Sequence, residues 1–360
     1  MLKLLIITQK VDARDPILGF FHRWLEEFSK NVEKLTIICL EKGEYNLPSN
    51  VKVLSLGKKK LEIRNWKLEI LHRLIYLFRF YGHIWRERRS YDVVFVHMNP
   101  EYVILGWADW KIMGKKIALW YTHKAVNLKL RLAEKLADKI FTASRESFRL
   151  PSKKVEVVGH GIDTQKFTPS FDGVPGRMTG QFSNKLQIIT AGRIAPVKNL
   201  ETLIESFSIL QNSKIDFEAK IAGGPATKSD EVYFEKLKSL VRQKGLENNV
   251  FFVGPIPYPR IQDFYHSGDI FVNLSETGSL DKAVLEAMSS GLLVITSNEA
   301  FHDILFPQFF LENKTPEVLA ERIKKMSSEN RPNLGLRELV VKNYGLEVLI
   351  KKIIALLVER

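Results

Sequence analysis

Cysteine is nearly absent from this sequence, since the only one among its 360 residues is Cys39. A single cysteine excludes intrachain disulfides and metal sites built from several thiolates, and such sparse usage favours a reducing compartment. Cys39 itself lies within the apolar run 35–40, which predicts a buried strand residue. Covalent cross-links therefore play no part in the expected fold.

Long hydrophobic runs are missing as well. The apolar run at 4–7 gives way to Gln9 and Lys10, so it is too short for a signal peptide or a spanning helix. No later run reaches the length that a spanning helix requires. We therefore expect a cytoplasmic protein with no segment that crosses a membrane.

Two short signatures of ligand sites are also missing. No Asp-x-Asp pair of the kind that holds a divalent cation occurs in the chain, so no metal is expected. The G-x-G-x-x-G fingerprint of nicotinamide enzymes is missing after the predicted strands 3–8 and 186–191. A nicotinamide-dependent dehydrogenase is therefore disfavoured.

Acidic residues are scarce in the first half of the chain. Residues 1–180 contain 32 Lys and Arg against 19 Asp and Glu, whereas residues 181–360 contain 22 of each, so the net charge of +13 belongs to the first half. A basic half suits a protein that binds nucleic acid, or an enzyme whose first domain rests on an anionic membrane. The composition, 45% hydrophobic and 26% charged, is typical of a globular protein.

The segment 58–89 combines basic and apolar residues. Ten Lys and Arg are opposed there by only three Glu, and aliphatic and aromatic residues, including Trp66 and Trp85, lie between them. As a helix, this segment would have a broad apolar side flanked by cations, which suits the interface of an anionic bilayer. An ordinary crossover helix, apolar towards the sheet and basic towards water, accounts for the pattern equally well.

Apolar strand candidates alternate with helical stretches along the chain, beginning with the continuous run 3–8. This alternation predicts parallel, doubly wound α/β sheets. Residues 169–184, rich in Ser, Gly and Pro, interrupt it and predict a linker. We therefore predict two Rossmann-like domains, 1–168 and 185–343, that face each other across a cleft, and a C-terminal helix at 344–360 that packs back on the first domain.

Candidate ligand contacts in the first domain lie at the carboxyl ends of predicted strands, where open α/β sheets bind ligands. Gly19 opens the helix after the first strand and lets a ligand approach the backbone closely, with Phe20 beside it. His97 and His123 end two later strands, where an imidazole can donate to a phosphate or a sugar hydroxyl, or transfer a proton. The neighbouring backbone could equally well satisfy each histidine.

The densest set of candidate contacts lies in the stretch 273–291. A strand there runs into a Thr-Gly-Ser turn, and the backbone N–H groups of residues 278–280 would lack helical partners at the start of the next helix. Such N–H groups and the positive end of the helix dipole together form an anion site. Asp281 would offset that dipole from the first turn, and Glu286 would offer a carboxylate to sugar hydroxyls.

Four ordered motifs resemble the retaining GT-B glycosyltransferases of family 4, also described as glycosyl transferases group 1. They are VVGHGIDTQKFTP at 157–169, AGRIAPVKNLETLIESF at 191–207, AKIAGGP at 219–225 and NLSETGSLDKAVLEAMSSGLLVI at 273–295. The resemblance spans essentially the whole chain and is strongest in these motifs. It implies the GT-B fold and an enzyme that transfers a sugar from a nucleotide diphosphate sugar.

The resemblance also implies roles for individual residues. Arg193 and Lys198 would neutralise the departing diphosphate in place of a divalent ion. Glu286 would contact the ribose hydroxyls, and His123 would face the transferred sugar. The expected catalytic residues are His123, Arg193 and Lys198, the expected donor contacts are Gly19, Gly278, Ser279, Leu280, Asp281, Lys282 and Glu286, and the expected acceptor side has Phe20 and His97.

One position departs from the family pattern. The family has two glutamates with seven residues between them, and Gly278 occupies the position of the first. Glu276 lies two places before it and Asp281 three places after it, so either could supply the missing carboxylate. Alternatively, backbone amides and Lys282 would hold the donor.

These observations predict a retaining glycosyltransferase with a lipid-linked or polysaccharide acceptor, which the basic first domain would bind at the inner face of a membrane. The reaction would need no metal and no bound cofactor. A nucleotide-sugar epimerase of the same fold is one alternative, and a basic protein that binds nucleic acid is another. Nucleic acid is disfavoured because bulky aliphatics surround the cations and because Arg193 and Lys198 would be left without a role.

Overall fold

A computed structural model describes residues 2–15, 17–58, 66–170 and 185–359, and only the backbone of residues 66–68. The chain divides into two compact units. Met1–Gly161 and Leu346–Arg360 form the first unit, and Ile162–Gly345 forms the second. Most of the predicted linker, residues 171–184, lies outside the described residues.

The first unit is built on a parallel sheet. Its strands are β1 (Lys3–Val11), β2 (Lys34–Lys42), β3 (Val51–Ser55), β4 (Val93–His97), β5 (Lys116–Trp120), β6 (Lys139–Thr142) and β7 (Val155–Val157). Across the described residues, these seven strands lie in the order β3-β2-β1-β4-β5-β6-β7. The connecting helices are α1 (Gly19–Asn31), α2 (Trp66–Arg86), α3 (Pro100–Ile112) and α4 (Leu128–Leu136).

Both faces of this sheet are covered, which explains why its strands are continuous apolar runs. Leu4 and Ile6 of β1 contribute to the core on one face, and Leu5 and Ile7 contribute to the core on the other. Cys39 is fully buried in β2, as predicted, and burial raises the pKa of its thiol to about 12. The thiol therefore behaves as a small core side chain.

The second unit repeats the plan with a smaller sheet. Its strands are β8 (Leu186–Ala191), β9 (Phe217–Ala222), β10 (Val250–Gly254), β11 (Ile270–Asn273) and β12 (Leu293–Thr296). Within the described part of the chain, these five parallel strands lie in the order β10-β9-β8-β11-β12. Its helices are α5 (Leu200–Asn212), α6 (Lys228–Gln243), α7 (Ile261–His266), α8 (Lys282–Ser289), α9 (Pro316–Met326) and α10 (Leu334–Tyr344). The predicted class of two Rossmann-like α/β units is confirmed.

The last helix, α11 (Leu346–Val358), packs on the first unit beside α1. Its apolar residues Leu346, Leu349, Ile350, Ile353 and Leu357 recur at helical spacing and enter the core that contains Trp24. The Trp24 indole N–H donates to the carbonyl of Gly161 at 3.2 Å, which ties α1 to the end of the first segment. The chain thus begins and ends in the same unit.

None of the helices in the described ranges is both long enough and apolar enough to span a membrane. The predicted amphipathic segment at 58–89 contains α2, and residues 59–65 of that segment lie outside the described residues.

Candidate functional site

The loop after β8 brings two glycines into close contact. Gly192 has φ +153° and Gly223 has φ +127°, in the region that favours glycine. A Cβ atom on Gly223 would lie 1.8 Å from the carbonyl oxygen of Gly192, so only glycine fits there. This close approach fixes the start of the loop that carries Arg193 and Lys198.

Arg193 and Lys198 line the same small pocket at the carboxyl ends of the strands in the second unit. The other lining residues are Thr190, Ala191, Gly192, Leu200, Ile221, Ala222, Asn273 and Leu274. Lys198 lies in a 3-10 turn at Pro196–Lys198. Asn199 follows with φ +48°, and α5 begins only after it. This turn lets Lys198 point back towards the pocket.

Lys198 contacts the loop between β11 and α8. Its Nζ donates to Asp281 Oδ2 at 2.9 Å and to Ser275 Oγ at 3.1 Å. The amide of Glu276 donates to the carbonyl of Val197 at 2.9 Å, which joins the same two loops through the backbone. The structure therefore brings together two motifs that lie about 80 residues apart in the sequence.

Arg193 is more open than Lys198. Its side chain is 52% exposed, and its Nε lies 3.9 Å from Asp230 Oδ2. Asp230 is already engaged in the capping box of α6, where it accepts from the amides of Ala226 and Thr227. Arg193 therefore presents a cation that its neighbouring carboxylate holds only weakly.

The Thr-Gly-Ser turn precedes α8 as predicted, and the Asp281 side chain is directed to Lys198. Gly278 has φ +61°, which a glycine accommodates without strain. Asp281 occupies the N-cap of α8, yet its side chain makes no capping hydrogen bond within the described chain and is directed to Lys198. Leu280 is buried, and the carbonyl of Ser279 accepts from Asn298 Nδ2 at 2.8 Å.

Glu286 is buried and is held by two protein partners. The hydroxyl of Tyr265 donates to its Oε2 at 2.8 Å, and Lys282 Nζ lies 3.0 Å from its Oε1. Burial lowers the pKa of Lys282, and the nearby Glu286 opposes that shift. In this structure the carboxylate that was expected to contact sugar hydroxyls is engaged by its own unit.

The two candidate substitutes for the missing glutamate differ in their surroundings. Glu276 is 56% exposed and forms an ion pair with Lys314 at 2.9 Å. Asp281 is largely buried and forms an ion pair with Lys198. Of the two carboxylates, Asp281 is the one connected to the pocket.

The expected contact residues of the first unit differ in their surroundings. Gly19 begins α1, and its amide donates to the carbonyl of Asp15 at 2.9 Å. The Phe20 ring packs edge-on against Phe21 and Trp24. His123 is exposed at the end of β5, where its Nδ1 accepts from the amide of Ala125 at 3.1 Å.

His97 differs from the expectation of a histidine that faces a ligand. It is 3% exposed, its Nδ1 lies 3.2 Å from Thr8 Oγ1, and its ring stacks on Phe21 at 3.9 Å. Burial lowers the pKa of His97 to about 3, with a smaller contribution from His160. The ring is therefore neutral at physiological pH and packs as a core side chain, because α1 covers the end of β4.

Three further residues shape the site, and none of them was predicted from the sequence. Asn273 donates to Asp281, Ser275 accepts from Lys198, and Tyr265 donates to Glu286. Asn273 and Ser275 lie at the end of β11 and just after it, and polar residues at the carboxyl end of a buried strand are the signal that could have identified them. Tyr265 carries no such signal, since it lies in a short helix that precedes the strand.

Two Rossmann-like α/β units, with cations and a helix start at the strand ends of the second unit, agree with the GT-B fold predicted from the sequence. Residues 177–343 match the family model described as glycosyl transferases group 1. The predicted family is thereby confirmed at the level of group 1.

Two curated relatives match a part of the chain. Mannosylfructose-phosphate synthase of Agrobacterium fabrum is 28% identical over 149 residues, which cover 41% of this chain and 33% of that protein. The lipopolysaccharide core biosynthesis mannosyltransferase LpsB of Rhizobium meliloti is 30% identical over 143 residues, 39% of this chain and 40% of that protein. The matched segment thus spans about a third to two fifths of the length of these relatives.

Solved structures match the whole chain in fold. HepE of Anabaena, in complex with UDP and glucose, has a TM-score of 0.77 at 14% identity and covers 100% of both chains. The sucrose-phosphate synthase of Thermosynechococcus elongatus has a TM-score of 0.78 at 13% identity and covers 98% of both chains. At such low identity these structures establish the fold alone.

Proposed function

We propose that this protein is a glycosyltransferase that moves a sugar from a nucleotide diphosphate sugar to an acceptor. The observation that carries the proposal is the pocket in which Arg193 and Lys198 meet the loop before α8, within the segment that matches the group 1 family. A diphosphate gains negative charge as it leaves, so cations and N–H donors fixed beside it lower the barrier. The relatives compared above are named as a synthase and a mannosyltransferase, which favours transfer over epimerisation.

The proposed division of roles follows the geometry of each unit. Arg193 and Lys198 neutralise the leaving diphosphate without a metal ion or another cofactor, with the turn at 278–280 and Lys282 as further donor contacts. Glu286 contacts the ribose after Tyr265 or Lys282 releases one of the two carboxylate oxygens of Glu286. His123 is the exposed histidine of the first unit and faces the transferred sugar, with Gly19 and Phe20 beside the substrates.

Retention is part of the proposal. A retaining glycosidase uses two carboxylates at close spacing, one of them as a nucleophile. Glu276 and Asp281 are each paired with a lysine, and Glu286 is buried against Tyr265, so these carboxylates do not form such a pair. The departing diphosphate would then take the acceptor's proton on the same face of the sugar, and the protein would contribute positioning and charge.

A screen of nucleotide sugars by thermal unfolding tests the proposal. A ligand that binds only the folded state raises the unfolding temperature in proportion to its affinity, so one base and one sugar should stand out. Incubation of that donor with candidate acceptors should then yield a glycoside that keeps the anomeric configuration. The transferase proposal fails if no nucleotide sugar shifts the transition, and the epimerase alternative replaces it if the donor returns with one inverted ring carbon.

A membrane surface is the proposed partner of the first unit. Phe78 and Trp85 of α2 and Trp107 and Ile112 of α3 are exposed, with Phe78 at 78% and Ile112 at 77%. The Trp85 indole N–H donates to Asp109 Oδ1 at 2.6 Å, so the two helices present adjoining apolar surfaces. Exposed cations lie on the same segments, namely Arg73, Arg86, Arg88, Arg89 and Lys111.

This combination of exposed aromatics and cations fits an anionic bilayer and a lipid-linked acceptor at the inner face of the membrane. The protein should float with vesicles that contain anionic lipid and remain behind with neutral ones. Phe78→Ser should weaken flotation severalfold, whereas Val232→Ser, at an apolar exposed position of the second unit, should not. Equal binding to both kinds of vesicle would remove the membrane from the proposal.

A further inference from the structure

A carboxylate of the chain itself occupies one side of the Lys198 ammonium group. Asp281 Oδ2 lies 2.9 Å from Lys198 Nζ, and the side chains of Asp281 and Lys198 are only 14% and 17% exposed. Lys198 also lines the pocket with Arg193, whose side chain is 52% exposed. Lys198 is thus neutralised at short range, whereas Arg193 is largely exposed.

The orientation of Asp281 is set by several side chains. Its Oδ2 also accepts from Asn273 Nδ2 at 3.0 Å, and its Oδ1 accepts from the Thr277 hydroxyl at 3.4 Å. An aspartate at the N-cap ordinarily bonds the first helix amides, and within the described chain Asp281 does not. The carboxylate is therefore held towards Lys198 and does not cap the first amides of α8.

We propose that Asp281 competes with the diphosphate for Lys198 and thereby lowers the affinity of the pocket for nucleoside diphosphates. This inference rests on the proposed function, because it concerns the same pocket. A lysine ammonium is a single point charge, and a carboxylate at 2.9 Å neutralises most of its field before a ligand arrives.

The competition has a consequence for turnover. The nucleoside diphosphate is the product that remains after transfer, and tight binding of it would slow each cycle. Asp281 returns to Lys198 as the product leaves, so the site regains its ion pair without waiting for solvent counterions. Product inhibition should therefore be weaker in this protein than in a variant without the carboxylate.

The alternative role for Asp281 is to position Lys198 for the ligand. If Asp281 only positions Lys198 for the ligand, its removal should weaken diphosphate binding. Competition and positioning thus give opposite signs for one substitution, Asp281→Asn, which removes the charge and keeps the size of the side chain.

Calorimetric titration with UDP, GDP and ADP provides the measurement. With the nucleotide that the wild type binds best, D281N should bind about tenfold more tightly. The same substitution in a K198M background should change affinity by less than about threefold, because the group for which it competes is gone. Glu235→Gln is the matched control, since it removes a carboxylate paired with a surface lysine, Lys238, and should leave affinity unchanged.

The outcomes separate the two proposals. Unchanged or weaker binding by a folded D281N overturns the competition, while the transferase proposal stands. An equal gain in affinity from D281N in the wild type and in the K198M background also overturns the competition. The gain would then come from the loss of a negative charge near the pocket and not from the release of Lys198. If the wild type and all variants bind none of the three nucleotides, the proposed function fails and the inference fails with it. Thermal unfolding of each variant establishes that it is folded.

Discussion

Each unit has a cation near the carboxyl end of its first strand, and the two cations differ in the carboxylates that surround them. In the first unit Lys10 lies at the end of β1, and Asp12, Asp15 and Glu41 all lie within 3.3 Å of its Nζ. In the second unit Lys198 has one carboxylate at 2.9 Å, and Arg193 has one at 3.9 Å. Lys10 is thus surrounded by an excess of carboxylates, whereas Arg193 and Lys198 are matched by one carboxylate each.

The carboxylates around Lys10 close the first loop. Lys10 and Glu41 are partners in the register of β1 and β2, so strand pairing itself brings them together. Asp15 accepts from the amides of Ile17 and Leu18, which fixes the turn that leads into α1. These ion pairs raise the pKa of Lys10 above its ordinary value, against the effect of burial. With three carboxylates around it, Lys10 is already neutralised by its own unit.

The largest expected effect is that of Lys198→Ala on catalysis. Loss of the ammonium group that faces the leaving diphosphate should reduce turnover by about 100- to 1000-fold. Folding should be preserved, because Lys198 is part of a turn and not of the core. Rates with the best donor from the nucleotide sugar screen provide the measurement. Lys236→Ala, which removes a surface lysine of the same unit, is the control, and near-normal turnover in K198A would contradict the assignment.

The strands were predictable because both faces of each sheet are buried. The predicted strand at 186–191 coincides with β8, and the predicted strands at 3–8 and 35–40 lie within β1 and β2. Continuous apolar runs are rare outside such strands, so the alternation of strands and helices indicated the fold class without any structure. The roles of Arg193 and Lys198 were instead expected from the family resemblance, and the structure places both side chains in one pocket at the strand ends.

The local sequence pattern could not predict the contacts of His97 and Asp281. His97 is covered by the Phe21 ring of α1, and the packing angle of a helix on a sheet is not encoded in the strand that it covers. Asp281 was assigned to the helix dipole because it lies at a helix start. Its actual partner, Lys198, lies 83 residues earlier, and such pairs depend on how loops pack in space.

Lys10→Met should have the next largest effect, this time on stability. The substitution leaves Asp12, Asp15 and Glu41 close together with no cation among them, which should cost about 2 kcal/mol. The unfolding midpoint should fall by about 4–8 °C. Lys129→Met, which removes one member of an exposed pair with Glu101, should cost less than about 0.5 kcal/mol. If the two variants are equally stable, the cluster at Lys10 contributes no more than a surface ion pair.

Asp15→Asn should have the smallest effect, but one with a characteristic dependence on pH. Burial alone would raise the pKa of Asp15, but the ion pair with Lys10 and the amides of Leu18 and Ile17 lower it below its ordinary value of 3.8. A carboxyl group whose pKa is lower in the folded state stabilises the fold fully above its unfolded pKa, and this stabilisation is lost as pH falls through the folded pKa. D15N should therefore be about 1 kcal/mol less stable than the wild type at pH 7.

The gap between D15N and the wild type should close as the pH is lowered below about 3.8, because the wild-type carboxyl is then protonated as well. Urea unfolding from about pH 7 to about pH 3 measures the gap, with Glu69→Gln as a control in which a carboxylate paired with Arg73 on an exposed surface is removed. That control should show a difference below about 0.5 kcal/mol at pH 7. A gap that stays constant over this range would mean that the carboxylate charge of Asp15 contributes nothing to stability, and that the charge balance at Lys10 does not hold the loop closed.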